Sequence, residues 1–298
     1  MLLFNPISIE SAKELLTFVE HIPARSCDYT PGNLIMWAQY MRYRYTVVDN
    51  TLFISGTSQA DMQEKAFLMP VGNMPLKESI DILKQFCAEI GRDIRLTAVP
   101  EPFIEELKEI LPNHRVETLD GWADYIYSAT SMVTMQGRSL NKRRNRLNKF
   151  LAEFPNHQYS RCKADDIPEI ISFLQNANDC HDQAVMRCYE QGQCISTVKN
   201  LVHYPQEAGI IRIDNKIVAF TLGEVFGDTM YVHIEKALRE YPGLGEAITK
   251  YFATDICAEY PQITFINREE DLGDPGLRQA KRAYDPIAML NRYEFIPE

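Results

Sequence analysis

The sequence predicts an α/β protein made of two diverged copies of one unit, and three observations carry that reading. An element order of three strands, helix, strand, helix, strand occurs twice. Each occurrence follows two helical stretches. The 298 residues, 45% apolar and 24% charged, are enough for two domains of ordinary size with real cores.

Taken in order, the first forty residues read as helices. Leu15, Leu16, Phe18 and Val19 form an apolar stripe behind a start at Ser8 or Ser11, and a second helix is expected from Gly32 to Arg42. YTVVD (45–49), TLFISG (51–56) and KAFLMPV (65–71) alternate as strands, with Asp49-Asn50 as a tight turn. Residues 75–91 predict a helix: Leu76, Ile80, Leu83, Phe86, Cys87 and Ile90 fall at helical spacing between Pro75 and Gly91. DIRLTAV (93–99) reads as a strand, 101–111 as a helix and HRVETLD (114–120) as a strand.

The second half repeats this. Two helical stretches, about 165–177 and 182–204, precede AGIIRID (208–214) and KIVAFTLGEVF (216–226), strands joined at Asp214-Asn215. TMYVHIEK (229–236) is the third strand. A helix over 243–260 follows, then QITFINRE (262–269), a helix over 274–284 and a last strand in AMLNRYEF (288–295). The linker is expected around 150–165, dividing the chain into domains 1–155 and 156–298.

Composition excludes several classes. No apolar run approaches the roughly 20 residues that span a bilayer. The amino terminus lacks the basic and apolar regions of a signal peptide, so a cytoplasmic location is expected. Seven scattered cysteines with no C-x-x-C pair argue for reduced thiols rather than a zinc or redox motif, and Cys180-His181-Asp182 is too compact to read as a metal site. The net charge of −10 argues against a general nucleic-acid binder, with one local reversal: residues 138–149, RSLNKRRNRLNK, carry six basic groups and no acid.

The element order resembles that of the GNAT-like (acyl-CoA N-acyltransferase-like) fold, so two tandem GNAT-like domains are expected. In such units the donor's phosphates lie against the amino end of the helix after the central strand, where free N–H groups and the helix dipole favour an anion. The second copy has Tyr241-Pro242-Gly243-Leu244-Gly245 there, and Gly243 and Gly245 allow close approach. The first copy has Pro75, which removes a donor, so the second copy is the candidate catalytic domain. Where coenzyme A-binding members carry Gln or Arg, this chain has Glu240.

Before that turn, VHIEKA brings His233, Glu235 and Lys236 to a strand end. His233 and Glu235 share a sheet face by the period of two, and either is a candidate proton acceptor. Asn267-Arg268-Glu269-Glu270-Asp271 ends the next strand, where α/β proteins place ligands. Arg278, Lys281 and Arg282 share one helix face. With Lys236, Asn267 and Arg268, and with Arg143 and Arg144 of the basic segment, they are candidates to hold phosphate. Ordinary alternatives stand beside each: a Glu–Lys ion pair, a helix salted to its own acids, a solvated basic helix.

KRRNRLNKF, VHIEKA, GEAITKYF and INREEDLGDPGLRQAKRAYDP together resemble the bacterial phosphatidylglycerol lysyltransferase C-terminal domain family, most strongly from about 122 to 293. The resemblance implies tandem GNAT-like domains with an acyl- or aminoacyl-transferase ancestry. The expected function is transfer from a phosphate-bearing carrier, aminoacyl-tRNA or a coenzyme A thioester, to an amine or hydroxyl. In this scheme Glu235 or His233 removes the proton, and neither a metal nor a tightly bound cofactor is called for. Expected partners are that donor, including a tRNA end, with contact to a membrane surface left open. The alternatives are a silent GNAT-like protein that binds RNA or a nucleotide, and a partner-binding structural protein.

Overall fold

A computed structural model describes residues 2–176, 185–204 and 206–298, with side chains for all of these except 185–188. The chain forms two compact units: Met1–Asp124 with Glu270–Gly273 and Met289–Glu298, and Tyr125–Glu269 with Asp274–Ala288.

The first unit opens with β1 (Asn5–Pro6), a lead of short 3-10 turns around α1 (Ala12–Leu15), and α2 (Pro31–Trp37). β2 (Arg44–Val48), β3 (Thr51–Thr57), β4 (Lys65–Phe67) and β5 (Val71–Gly72) precede α3 (Leu76–Glu89), β6 (Leu96–Pro100), α4 (Ile104–Ile110) and β7 (His114–Thr118). α2 starts as its sequence dictates, with Pro31 in the first turn and Thr30 Oγ1 accepting from the Asn33 N–H. It ends at Trp37 rather than Arg42, because the chain turns there: Tyr43 N–H bonds the Ala38 carbonyl and Arg42 takes φ +55°. The single strand expected over 65–71 is two short ones, both paired with β3. Pro70, which has no N–H to donate, lies in the gap.

The second unit contains β8 (Asp124–Ser128), α5 (Ala129–Thr134), α6 (Asn141–Glu153), β9 (Gln158–Arg161), α7 (Ile167–Asn176) and α8 (Val185–Lys199). β10 (Glu207–Ile213), β11 (Lys216–Phe226), β12 (Thr229–Ala237), α9 (Leu244–Glu259), β13 (Phe265–Asn267), α10 (Pro275–Arg282) and β14 (Ala288–Leu290) follow, and the chain ends in β15 (Arg292–Pro297). The Cys180-His181-Asp182 cluster lies outside the described residues.

The sheets run β1-β2-β3-β4-β6-β15-β7 and β9-β10-β11-β12-β13-β8-β14. Each contains a parallel step, β4 beside β6 at Phe67 and Leu96, and β12 beside β13 up to Tyr231 and Asn267. Two residues past that step each copy makes the same left-handed kink, Ala98 at φ +53° and Glu269 at φ +57°. The tandem GNAT-like architecture is therefore present, including a backbone irregularity repeated in register.

The boundary differs from the expected 155/156, and the reason is a reciprocal exchange of strands. β8 follows the first copy in sequence yet pairs with β13, whereas β15 ends the second copy yet lies between β6 and β7. β15 brings Phe295 into the first core, worth roughly 1.5–3 kcal/mol of burial. α6, assigned by sequence to the first domain, puts Leu147 and Phe150 in the second core with Ile248 and Phe252.

Candidate functional site

β12 outruns β13. Beyond Tyr231 and Asn267 the two strands part, and the side chains of interest face each other across the gap. A β-bulge marks the place: Val232 pairs with Gly223 and Ile234 with Leu222, which leaves His233 as the extra residue. Gly223 fits there because a Cβ would collide with the Tyr231 carbonyl.

His233 has both ring nitrogens engaged. Nδ1 lies 2.7 Å from Glu269 Oε1 and Nε2 2.7 Å from Glu224 Oε1. Burial works against its charge, but hydrogen bonds and charge from Glu224 and Glu269 outweigh burial and raise it to about 10. Tyr204 Oη donates to the other oxygen of Glu224, giving a chain Tyr204–Glu224–His233–Glu269. A cationic imidazole with both nitrogens bonded has no lone pair for a substrate proton, so the expectation that His233 serves as a base is corrected.

Glu235 is differently held. Arg268 Nη2 donates to Oε1 at 2.7 Å, and Thr249 Oγ1 lies 3.0 and 2.9 Å from the two carboxylate oxygens. Its side chain keeps 18% exposure, against 12% for Arg268. Burial opposes the Arg268 charge, and Glu235 with the nearby Tyr284 and Tyr127 phenols restores it. The guanidinium carbon lies 4.8 Å from the Tyr284 ring centroid and 5.9 Å from that of Tyr127. Its Nη1 is buried without a hydrogen-bond partner. An orphaned cationic donor is costly, and acceptor oxygens are what it satisfies.

The loop that carries Arg268 is fixed from several sides. Arg268 N–H bonds the Tyr125 carbonyl at 3.1 Å, Lys281 Nζ donates to the Arg268 carbonyl at 2.6 Å, and Glu269 N–H bonds Asn267 Oδ1 at 2.7 Å. Asn267 and Lys281 therefore shape the loop. Lys281, buried on α10 and 5.7 Å from the Tyr125 ring, does not present a cation to an outside anion as expected. Arg278 is half-buried and Arg282 exposed, so the expected stripe is split. Lys236 pairs with Glu190 at 2.7 Å.

The amide end of α9 packs against α6 at Gly243. Gly243 caps it at φ +94°, and a Cβ there would collide with the Arg146 carbonyl and press on Phe150 Cβ at 2.9 Å. Gly243 thus seats α6 rather than admitting a ligand, while a Cβ at Gly245 would meet nothing. In the first turn Glu246 is buried and bonded to Arg143 Nη1 at 2.7 Å, with Arg146 Nε at 3.3 Å. Arg144 Nη1 donates to the Met135 and Gly137 carbonyls at 2.8 and 3.3 Å. The expected phosphate ligands Arg143 and Arg144 are thus committed within the protein. Sequence reading missed Glu224, Tyr204, Thr249 and Tyr284. Only Glu224, an acid inside the apolar run KIVAFTLGEVF, carried a visible signal.

The first unit has its own buried polar centre. Arg292 Nε lies 2.8 Å from Asp28 Oδ2, and Nη2 bonds Asp124 and lies 3.3 Å from Glu270 Oε2 and 3.0 Å from Cys27 Sγ. Burial raises Asp28 to about 6 despite Arg292, which lowers it. Ligand atoms of Cys27, Asp124 and Glu270 lie within 4.8 Å of one another, a spacing a metal could use, but the guanidinium already supplies the cation there.

Residues 19–295 match the family model described as phosphatidylglycerol lysyltransferase, C-terminal. A conserved protein of unknown function from Bacteroides thetaiotaomicron is 29% identical over all of both chains, with a TM-score of 0.91. L-PGS from Bacillus licheniformis shares the fold at 12% identity, with a TM-score of 0.69 over 100% of this chain and 94% of that one. An uncharacterized protein of Mycoplasmoides gallisepticum is 20% identical over 63% of this chain, and the match spans 61% of that curated relative's length. Among the described residues no helix is long and apolar enough to cross a membrane.

Proposed function

The chain belongs to the phosphatidylglycerol lysyltransferase C-terminal family, and from that premise we propose that it transfers an aminoacyl group from aminoacyl-tRNA to an amine or hydroxyl acceptor. The observation that carries this reading is the Glu235–Arg268 pair, a partly exposed carboxylate beside a guanidinium whose Nη1 is buried and unpartnered.

The acceptor N–H or O–H approaches Glu235 and attacks the ester carbonyl carbon. Its proton passes to the Glu235 carboxylate. The carbonyl oxygen gains negative charge and accepts from Arg268 Nη1, a donor in place before reaction. As the intermediate collapses, the carbon–oxygen bond to the carrier breaks and Glu235 returns the proton to the leaving oxygen. Thr249 and the Tyr284 and Tyr127 rings keep both groups in register. His233 acts at one remove, through Glu269. The packing of α6 on Gly243 and the buried Glu246 carboxylate in the first turn of α9 favour an ester on RNA over a coenzyme A thioester, whose phosphates would meet that carboxylate.

Glu235→Gln, assayed with a panel of labelled aminoacyl-tRNA and acyl-CoA donors, should lose about 10²–10⁴-fold in transfer with unchanged circular dichroism. Wild-type rates in the variant would remove Glu235 from the chemistry. A second reading, a silent binding protein, is favoured by the full engagement of His233 and both Glu235 oxygens. It requires RNA binding with no transfer from any donor.

A further inference from the structure

We infer that the first unit contains a counterpart of the strand gap at His233 and Glu269, and that the Tyr29 side chain is its built-in occupant: a hydroxyl-binding seat closed by the chain itself. This goes beyond the proposed transfer, and neither claim needs the other.

The two gaps correspond residue by residue. Ser55 pairs with Phe67 and Leu52 with Val71, so three steps along β3 face four from β4 to β5. Glu224 pairs with Tyr231 and Thr221 with Glu235, again three against four. Leu68 N–H bonds the Ile54 carbonyl at 3.0 Å, as Val232 pairs with Gly223, so Met69 occupies the step of His233. The parallel partners Phe67 and Leu96 match Tyr231 and Asn267, and the kinks at Ala98 and Glu269 follow at the same distance. An alanine side chain offers nothing to favour φ +53°, so the surrounding fold imposes the kink and with it the parting of the strands.

What differs is the chemistry. Val71 stands where the second copy has Glu235 and Thr97 where it has Arg268, and both are buried. Thr97 Oγ1 is committed elsewhere, donating to Glu294 Oε1 at 2.8 Å and accepting the Gln59 N–H at 3.0 Å. The gap therefore has neither a carboxylate nor a guanidinium at the corresponding positions. It holds Tyr29 instead. The Tyr29 hydroxyl accepts from Met69 N–H and donates to the Ala98 carbonyl, both at 3.2 Å. Met69 and Ala98 each lie two residues beyond the last paired positions of β4 and β6. One atom bridging them must accept and donate at once, which a hydroxyl does and a carbonyl or ether oxygen does not. Burial raises the phenol well above its ordinary value, so it keeps the proton it donates.

The occupant is also anchored. Tyr29 is 5% exposed and shares the turn Cys27–Tyr29 with Cys27 and Asp28, which contact Arg292. Moving the ring out would pull both from that guanidinium. The seat is thus closed in the wild type, and removing the ring opens it to a ligand of the same shape.

The test uses the full chain, with Tyr29→Ala titrated with phenol and with toluene, which has the ring without the hydroxyl. Phenol at about ten times its Kd should raise the melting temperature of the variant by about 3–6 °C. Two hydrogen bonds should make phenol bind about 5- to 150-fold more tightly than toluene. The wild type should shift with neither. Equal stabilisation of the variant by both compounds, or by neither, overturns the inference, as does a wild type that responds to phenol as the variant does. Tyr29→Phe keeps the ring and guards against a variant that does not fold. Its crystal structure should keep Met69 and Ala98 apart. Closure of β4 onto β6, with Met69 N–H bonded to a β6 carbonyl, would mean that Tyr29 merely wedged the strands apart, and the built-in seat would be lost. Transfer by Glu235→Gln bears on the second unit alone and leaves these outcomes unchanged.

Discussion

Replacing Arg292 with alanine removes the cation around which the acids of the first unit are arranged. Arg292 is 1% exposed and contacts Asp28, Asp124, Glu270 and Cys27. Removing one partner from a buried ion pair leaves uncompensated charge and costs about 3–5 kcal/mol. At about 2–4 °C per kcal/mol for a unit of this size, the melting temperature should fall by about 6–20 °C. The loss should also depend on pH with a defined sign. Asp28 stands at about 6 in the folded protein against an ordinary 3.8, so the native state holds the extra proton between those values. Its contribution to stability is present in full below 3.8 and is lost as pH rises through about 6. Arg292 lowers that value, so alanine moves the window upward, and the variant's deficit should be smaller at pH 5 than at pH 8. Urea unfolding followed by circular dichroism at pH 5, 6, 7 and 8 measures this. A deficit under about 1 kcal/mol at pH 8, or one that ignores pH, refutes the buried-charge reasoning.

Other outcomes follow from the same geometry. His233→Gln should cost about 3–5 kcal/mol by leaving Glu224 and Glu269 without their cation. In the wild type the His233 share of stability is complete below 6.5 and lost as pH rises through about 10, so a urea series from pH 7 to 10 should slope downward, and the variant should be flat. Gly243→Ala should destabilise by about 1–3 kcal/mol in a thermal melt, since alanine must accept φ +94° and push α6 away. Truncation after Leu290 takes β15 from between β6 and β7, and limited proteolysis should then cut the first unit while 125–269 stays protected longer.

Much of the fold was legible because alternation and helical spacing are local. The hairpin turns at Asp49-Asn50 and Asp214-Asn215 both occur at positive φ, as their sequence requires. The exchange of β8 and β15 was not legible. DYIYS and RYEFIP satisfy any sheet centre equally well, and strand alternation does not say which sheet a strand completes. In the site, Glu235 and Arg268 were found because charged residues ended two adjacent strands, and the structure joins them. Arg143 and Lys281 were misjudged for one reason: sequence counts a cation but not the buried carboxylate or carbonyl that consumes it. The bulge that singles out His233 depends on register across β11 and β12, which no local pattern encodes.

The chemistry at Glu235 and Arg268 is open to direct inspection in a crystal structure with a non-hydrolysable aminoacyl-amide analogue of the 3′ end of an aminoacylated RNA. The acyl oxygen should lie within hydrogen-bond distance of Arg268 Nη1, with the acceptor side of the carbonyl open to Glu235. An analogue bound elsewhere, with Nη1 still unpartnered, contradicts it.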